Sequence, residues 1–123
     1  MEQKIIRGKR ILLVEDEPSV RKAFSMLLKF DGHTVTEAND GAEALDLFTK
    51  GQFDLVATDF EMPVMRGNEL AVRIKKLAPT QPILMMTAYE KEIGDPENPV
   101  DGILTKPFAM GNLRGAIAKI LSN

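Results

Sequence analysis

Four short apolar runs, each stopping on a charged or hydroxyl-bearing residue, limit what this chain can fold into more than any other feature. They are Ile11 to Val14 before Glu15-Asp16, Leu55 to Thr58 before Asp59, Ile83 to Met86 before Thr87, and Ile103-Leu104 before Thr105-Lys106. Short apolar runs without alternation read as strands buried on both faces, which is the pattern of a parallel sheet. A fifth segment, His33 to Ala38, alternates polar and apolar residues and reads as an edge strand, with His33 on the surface. Parallel strands need crossover connections, so the stretches between the runs must supply helices.

They do so with recognisable signals. Pro18 suits the first turn of a helix in which Val20, Phe24, Leu27 and Leu28 point inward and Arg21, Lys22, Ser25 and Lys29 outward, and Asp31-Gly32 ends it. Asp40 followed by Glu43 is a capping pattern for a second helix that buries Ala44, Leu45 and Phe48 and closes at Gly51. Leu70, Ile74 and Leu77 mark a third helix ending before Pro79; Leu113, Ala116, Ile117, Ile120 and Leu121 mark the last. The expected fold is α/β, a central parallel sheet covered on both faces. A chain of 123 residues is of ordinary size for one domain. We divide it into an extension at 1–9 and a folded domain at 10–123; no further domain is expected within the sequence after the last helix, whether the chain stands alone or is a fragment of a longer protein.

Composition excludes several kinds of function. Hydrophobic residues at 44% and charged residues at 28% are globular values. A net charge of −2 offers no general attraction for nucleic acid or anionic lipid, so no direct nucleic-acid or membrane binding is expected. With no cysteine and a single histidine, disulfides, thiolate metal sites, a cysteine nucleophile and a histidine-rich metal site are ruled out. No apolar run has the length of a signal peptide or a membrane span, and the expected location is the cytoplasm. Methionines 62, 65, 85 and 86 are read as packing.

In a doubly wound parallel sheet the functional crevice lies beyond the carboxyl ends of the strands. Glu15, Asp16, Asp59, Thr87 and Lys106 all stand at such ends, so acids, hydroxyl and ammonium should converge on one rim. Close carboxylate pairs repel by roughly 4 kcal/mol at an effective dielectric near 20, which favours a bound cation. Oxygen donors without histidine or thiolate point to a hard ion, Mg²⁺ ahead of Zn²⁺. Lys106 and Thr87 would then hold phosphoryl oxygens, and Asp59 would act as nucleophile to give an aspartyl phosphate.

The ordered set Glu15-Asp16, Asp59 with Met62-Pro63 behind it, Thr87-Ala88 and Lys106-Pro107-Phe108 resembles the receiver domain of two-component response regulators, of the chemotaxis-regulator type. The resemblance implies a flavodoxin-like five-stranded sheet in the order 2-1-3-4-5. It implies that Asp59 is the phosphoacceptor, charged by a histidine kinase or phosphotransfer protein, with the conformational change controlling an output through an unidentified effector. Asp16, Asp59 and the backbone carbonyl of Glu61 would ligate Mg²⁺, with Glu15 acting through a bound water. Thr87 and Lys106 would contact the phosphoryl oxygens, Ala88 would leave the acceptor accessible, Thr87 and Tyr89 would form the switch, and the Lys106-Pro107 bond would be cis. Such a domain is a signalling phosphoacceptor that assists its own phosphorylation and dephosphorylation rather than a turnover enzyme, acting as a monomer or a weak phosphorylation-dependent dimer. Two rivals are a metal-dependent phosphohydrolase with an Asp nucleophile, against which Glu61 stands where a second Asp is usual, and a phosphate-independent interaction module.

Between Thr87 and Lys106 the chain departs from the family pattern. Gly94, Pro96 and Pro99 interrupt the segment where a full fourth helix is usual, so at most a short helix from about Tyr89 to Ile93 and an irregular loop are expected. Arg66, near the acceptor, is expected to be solvated or to contact Glu61 or the phosphoryl group.

Overall fold

A computed structural model describes residues 5–88 and 99–122. The elements are β1 (Arg10–Val14), α1 (Pro18–Phe30), β2 (Thr34–Ala38), α2 (Gly41–Lys50), β3 (Leu55–Asp59), α3 (Gly67–Leu77), β4 (Ile83–Thr87), β5 (Gly102–Thr105) and a C-terminal helix (Met110–Leu121). The five strands form one parallel sheet in the order β2-β1-β3-β4-β5, as expected. The segment assigned to a short helix at 89–93, and Tyr89 itself, lie outside the described residues.

Strand alternation sorts side chains between two apolar layers. Leu12, Val14, Val56, Ile83 and Met85 pack under α2 and α3 with Ala44, Leu70, Ala71 and Ile74. Ile11, Leu13, Leu55, Ala57, Leu84 and Met86 pack on the other face with Phe24 and Leu28 of α1 and Leu113 and Ile117 of the C-terminal helix. Every residue of β3 and β4 is buried, which is why those strands read as unbroken apolar runs.

The helix starts follow the capping chemistry. Pro18 opens α1, and Asp40 Oδ1 accepts from the Glu43 amide at 2.8 Å at the start of α2. Glu43 Oε1 accepts in turn from the Asn39 amide at 2.6 Å.

Three readings are corrected. Val20 and Leu27 are partly exposed, while Ser25, assigned to the outer face, is buried. The stripe of α1 that meets the sheet is therefore Phe24, Ser25 and Leu28, rotated from the one that hydrophobicity alone selects. Leu77 is exposed at the end of α3. His33 is buried rather than on the surface, because the segment before β1 covers it: its Nδ1 accepts from the Lys9 amide at 3.0 Å, and the Thr34 amide donates to the Lys9 carbonyl at 2.9 Å. Burial of the imidazole lowers its pKa, against the pull of Asp31.

Asp31, which ends α1, is likewise buried, and Arg114 of the C-terminal helix meets it with two bonds of 2.8 and 2.9 Å. The fork-to-carboxylate geometry ties the two helices on that face together and lowers the Asp31 pKa.

Candidate functional site

Strand register brings the polar ends together. β1 and β4 flank β3, with Val14 opposite Thr58 and Asp59 opposite Met86. Glu15 and Asp16 therefore follow β1 on one side of Asp59, and Thr87 ends β4 on the other. Lys106 follows β5, and its amide donates to the Thr87 carbonyl at 2.8 Å, carrying the ladder one residue past the strand. The expected convergence of Glu15, Asp16, Asp59, Thr87 and Lys106 on one rim is what the structure shows.

Within it, Lys106 Nζ lies 2.5 Å from Asp59 Oδ1 and 3.4 Å from Glu15 Oε1. Glu15 and Asp59 are both buried, so their charges are desolvated and Lys106 offsets only part of the pair. Burial raises the Asp59 pKa against the pull of Lys106, and the Glu61 and Asp16 carboxylates push it the same way. Burial also raises the Glu15 pKa, opposed by the hydrogen bond from the Glu17 amide and aided by the charge of Asp59. For Lys106, burial lowers the pKa, but Asp59 and Glu15 outweigh it and the net shift is upward. One carboxylate oxygen from each of Glu15, Asp16 and Asp59 lies within 4.8 Å of the others. This all-oxygen, acid-rich donor set is suited to a hard divalent cation.

Asp59 is held from behind. The Thr58 hydroxyl donates to the Asp59 carbonyl at 3.0 Å, and the Phe60 amide donates to the Met86 carbonyl at 2.9 Å. Gly67, the first residue of α3, sits directly against this turn; a Cβ there would press into the Asp59 carbonyl oxygen, with Met85 Sδ 2.7 Å and Phe60 Cα 3.0 Å away. Arg21 Nη1 donates to the Glu15 carbonyl at 2.8 Å and fixes the turn after β1.

Some details depart from expectation or were not foreseen. The Thr87 hydroxyl donates to the Glu61 side chain, to Oε1 at 2.6 Å, whereas Glu61 entered the reading only through its backbone carbonyl. Arg66 is exposed, in line with the solvated alternative, and what was not foreseen is that its guanidinium lies over the Phe60 ring, 5.6 Å from the centroid. Gly67 has a signal in the sequence only as a glycine at a helix start, where no glycine is required by the helix itself. The Lys106-Pro107 bond is cis, as expected, and Ala88 is exposed. Tyr89 lies outside the described residues.

Comparison with known proteins bears on the same elements. Residues 11–118 match the response regulator receiver domain family. Chemotaxis protein CheY-3 of Vibrio cholerae serotype O1 is 36% identical over 126 residues, covering 98% of this chain and 97% of that protein. Response regulator MprA of a Mycobacterium species is 34% identical over 115 residues, which are 91% of this chain and 50% of MprA, so the chain spans about half the length of that relative. Among solved structures, response regulator TrrA of Thermotoga maritima, determined in complex with Mg(2+)-BeF, superposes with a TM-score of 0.86 at 36% identity, covering 92% of this chain and 99% of that one. With the fold, the strand-end residues and these matches in agreement, the chain belongs to the response regulator receiver domain family.

Proposed function

We propose that Asp59 is the phosphoacceptor of this receiver domain and that its donor is a phosphohistidine on a kinase or phosphotransfer protein. The observation that carries the reading is the buried Asp59 carboxylate bonded to Lys106 with Glu15 and Asp16 beside it. In the transfer, an Asp59 carboxylate oxygen forms a P–O bond as the donor's P–N bond breaks, and the imidazole leaves. Lys106 holds one phosphoryl oxygen by charge and Thr87 another by hydrogen bond. Asp16, Asp59 and the backbone carbonyl of Glu61 would hold Mg²⁺, with Glu15 acting through a bound water. The donor set fits that ion: it is all oxygen, acid-rich, and left with an excess of negative charge by Lys106. Bound there, Mg²⁺ would neutralise phosphoryl charge.

Family membership makes the domain a signalling phosphoacceptor rather than a typical enzyme. That it assists its own phosphorylation and dephosphorylation is our inference from Lys106, Thr87 and the acid cluster. No helix among the described residues is long and apolar enough to cross a membrane. We place the protein in the cytoplasm, as a monomer or a weak phosphorylation-dependent dimer, with residues 1–9 as an extension and 10–123 as the receiver. Its effector is a protein or domain, without direct nucleic-acid contact by this domain, and Tyr89 is assigned with Thr87 to the switch.

Incubation with Mg²⁺ and acetyl phosphate should raise the intact mass by one phosphate, and Asp59→Asn should abolish the increase. An unchanged wild-type mass would sink the reading. Many turnovers of phosphate release from a phosphomonoester would favour the phosphohydrolase instead.

A further inference from the structure

The hydrogen bond between Thr87 and Glu61 has a consequence for switching. A threonine hydroxyl carries a single proton, so while it donates to Glu61 Oε1 at 2.6 Å it has none for a second acceptor. Thr87 is fully buried at the end of β4, and its carbonyl is bound by the Lys106 amide, so the backbone is fixed on both counts. Redirecting the hydroxyl is therefore a matter of side-chain rotation and of which acceptor wins. Glu61 is half-buried two residues beyond Asp59, in the turn between β3 and α3, and its Oε1 is the acceptor of this bond. A hydroxyl donating to a carboxylate belongs to the short, strong class of hydrogen bond. Thr58, the other hydroxyl beside the acceptor, is committed to the Asp59 carbonyl.

We propose that Glu61 is a latch: its carboxylate holds the Thr87 hydroxyl in the resting state, and a phosphoryl group on Asp59 must win that hydrogen bond in place of Glu61 before the switch can turn. The inference rests on the phosphoacceptor reading of Asp59 and adds to it a residue that sets how hard the switch is to throw. Glu61 acts through Thr87 and is a positioning residue. Two acceptors competing for one donor make a two-state element, and weakening one biases the population toward the other. Loss of a hydrogen bond to a charged group corresponds to a bias of roughly tenfold or more.

The test uses the full chain with threonine methyl groups labelled for NMR, the Thr87 signal assigned through Thr87→Ser, and beryllofluoride with Mg²⁺ as the probe. In wild type the Thr87 methyl signal should move on saturation. Glu61→Ala should shift that signal toward its saturated position before any probe is added, and lower the half-saturating beryllofluoride concentration by roughly tenfold. Glu61→Gln keeps an acceptor oxygen but loses the charge, so its resting signal should fall between those of wild type and Glu61→Ala. An unmoved resting signal in Glu61→Ala would overturn the latch. So would an equal displacement in Glu61→Gln, since charge alone would then explain it. Phosphorylation of wild type by acetyl phosphate, read by mass, stands apart from these outcomes: its failure removes the acceptor reading, whereas the latch is read in the protein before ligand is added.

Discussion

Gly67→Ala tests how the acceptor is held in place. Gly67 and Gly41 each open a helix, α3 and α2, so a methyl group added at either brings the same propensity gain, at most about 1 kcal/mol. What the methyl meets differs. At Gly41 the closest atom is Met65 Sδ, at the free end of a half-buried side chain that can swing aside, and the Met65 Cβ at 3.0 Å asks for a shift of a few tenths of an ångström. At Gly67 it is the Asp59 carbonyl oxygen, held by the Thr58 hydroxyl at 3.0 Å on a strand paired on both sides, together with the fully buried Met85. A carbon comes no closer to a carbonyl oxygen than about 3.3 Å without cost. Either α3 moves outward or the end of β3 bends. Overpacking of this kind costs about 1–3 kcal/mol, and a rigid carbonyl as the obstacle puts it at the upper end, so a net loss near 2 kcal/mol remains after the propensity gain. With a urea m-value near 2 kcal/mol/M, the unfolding midpoint falls by about 1 M with m unchanged. Gly41→Ala should stay within about 0.5 kcal/mol of wild type. Chemical denaturation of the three proteins decides the matter, and equal midpoints for the two variants would refute the argument that Gly67 is required by the close approach of Asp59.

The acid pairs give pH predictions of opposite sign. The Asp59 pKa is raised in the folded state by burial, so its penalty is present above the folded pKa and relieved as pH falls; Asp59→Asn should be more stable than wild type at neutral pH, with the gap closing in acid and shrinking when Mg²⁺ is added to wild type. The Asp31 pKa is lowered by Arg114, so that pair stabilises above the ordinary carboxylate pKa and is lost as pH falls through the folded value; Arg114→Ala should be less stable at neutral pH and converge with wild type in acid. Val64 holds φ at 70° with its side chain fully exposed, a strained backbone for a β-branched residue that packing does not repay; Val64→Asn should raise stability by about 1 kcal/mol in thermal melts.

The sheet and the cluster at its carboxyl edge were legible because they depend on local signals. A buried parallel strand must be apolar along its whole length, so the residue at which Leu55 to Thr58 gives way to Asp59 marks the strand end directly. The order 2-1-3-4-5 came from the family resemblance, since apolar runs alone do not rank neighbours. What escaped was set by partners far away in sequence. His33 looked like an edge-strand surface residue because nothing near it announces that Lys9 will fold across it. Ser25 looked polar and therefore outward, but the rotation of α1 is fixed by Phe24 and Leu28 seating on β1 and β3, and Ser25 is carried in with them. The side chain of Glu61 meets Thr87 across 26 positions of chain, and no local pattern encodes that.

The pairing of β3 on both sides has a consequence for the lifetime of the site. Slipping that strand by one residue would drive Asp59 into the opposite apolar layer and break two ladders at once, so Asp59 cannot be lost by local fraying. Its amides should therefore exchange with solvent deuterium only when the whole sheet opens, while the turn carrying Glu61 to Arg66 exchanges by small local openings. On the proposed reading, the residue that bears the phosphoryl group would sit on the slowest part of the molecule and the residue that gates its readout on a faster one.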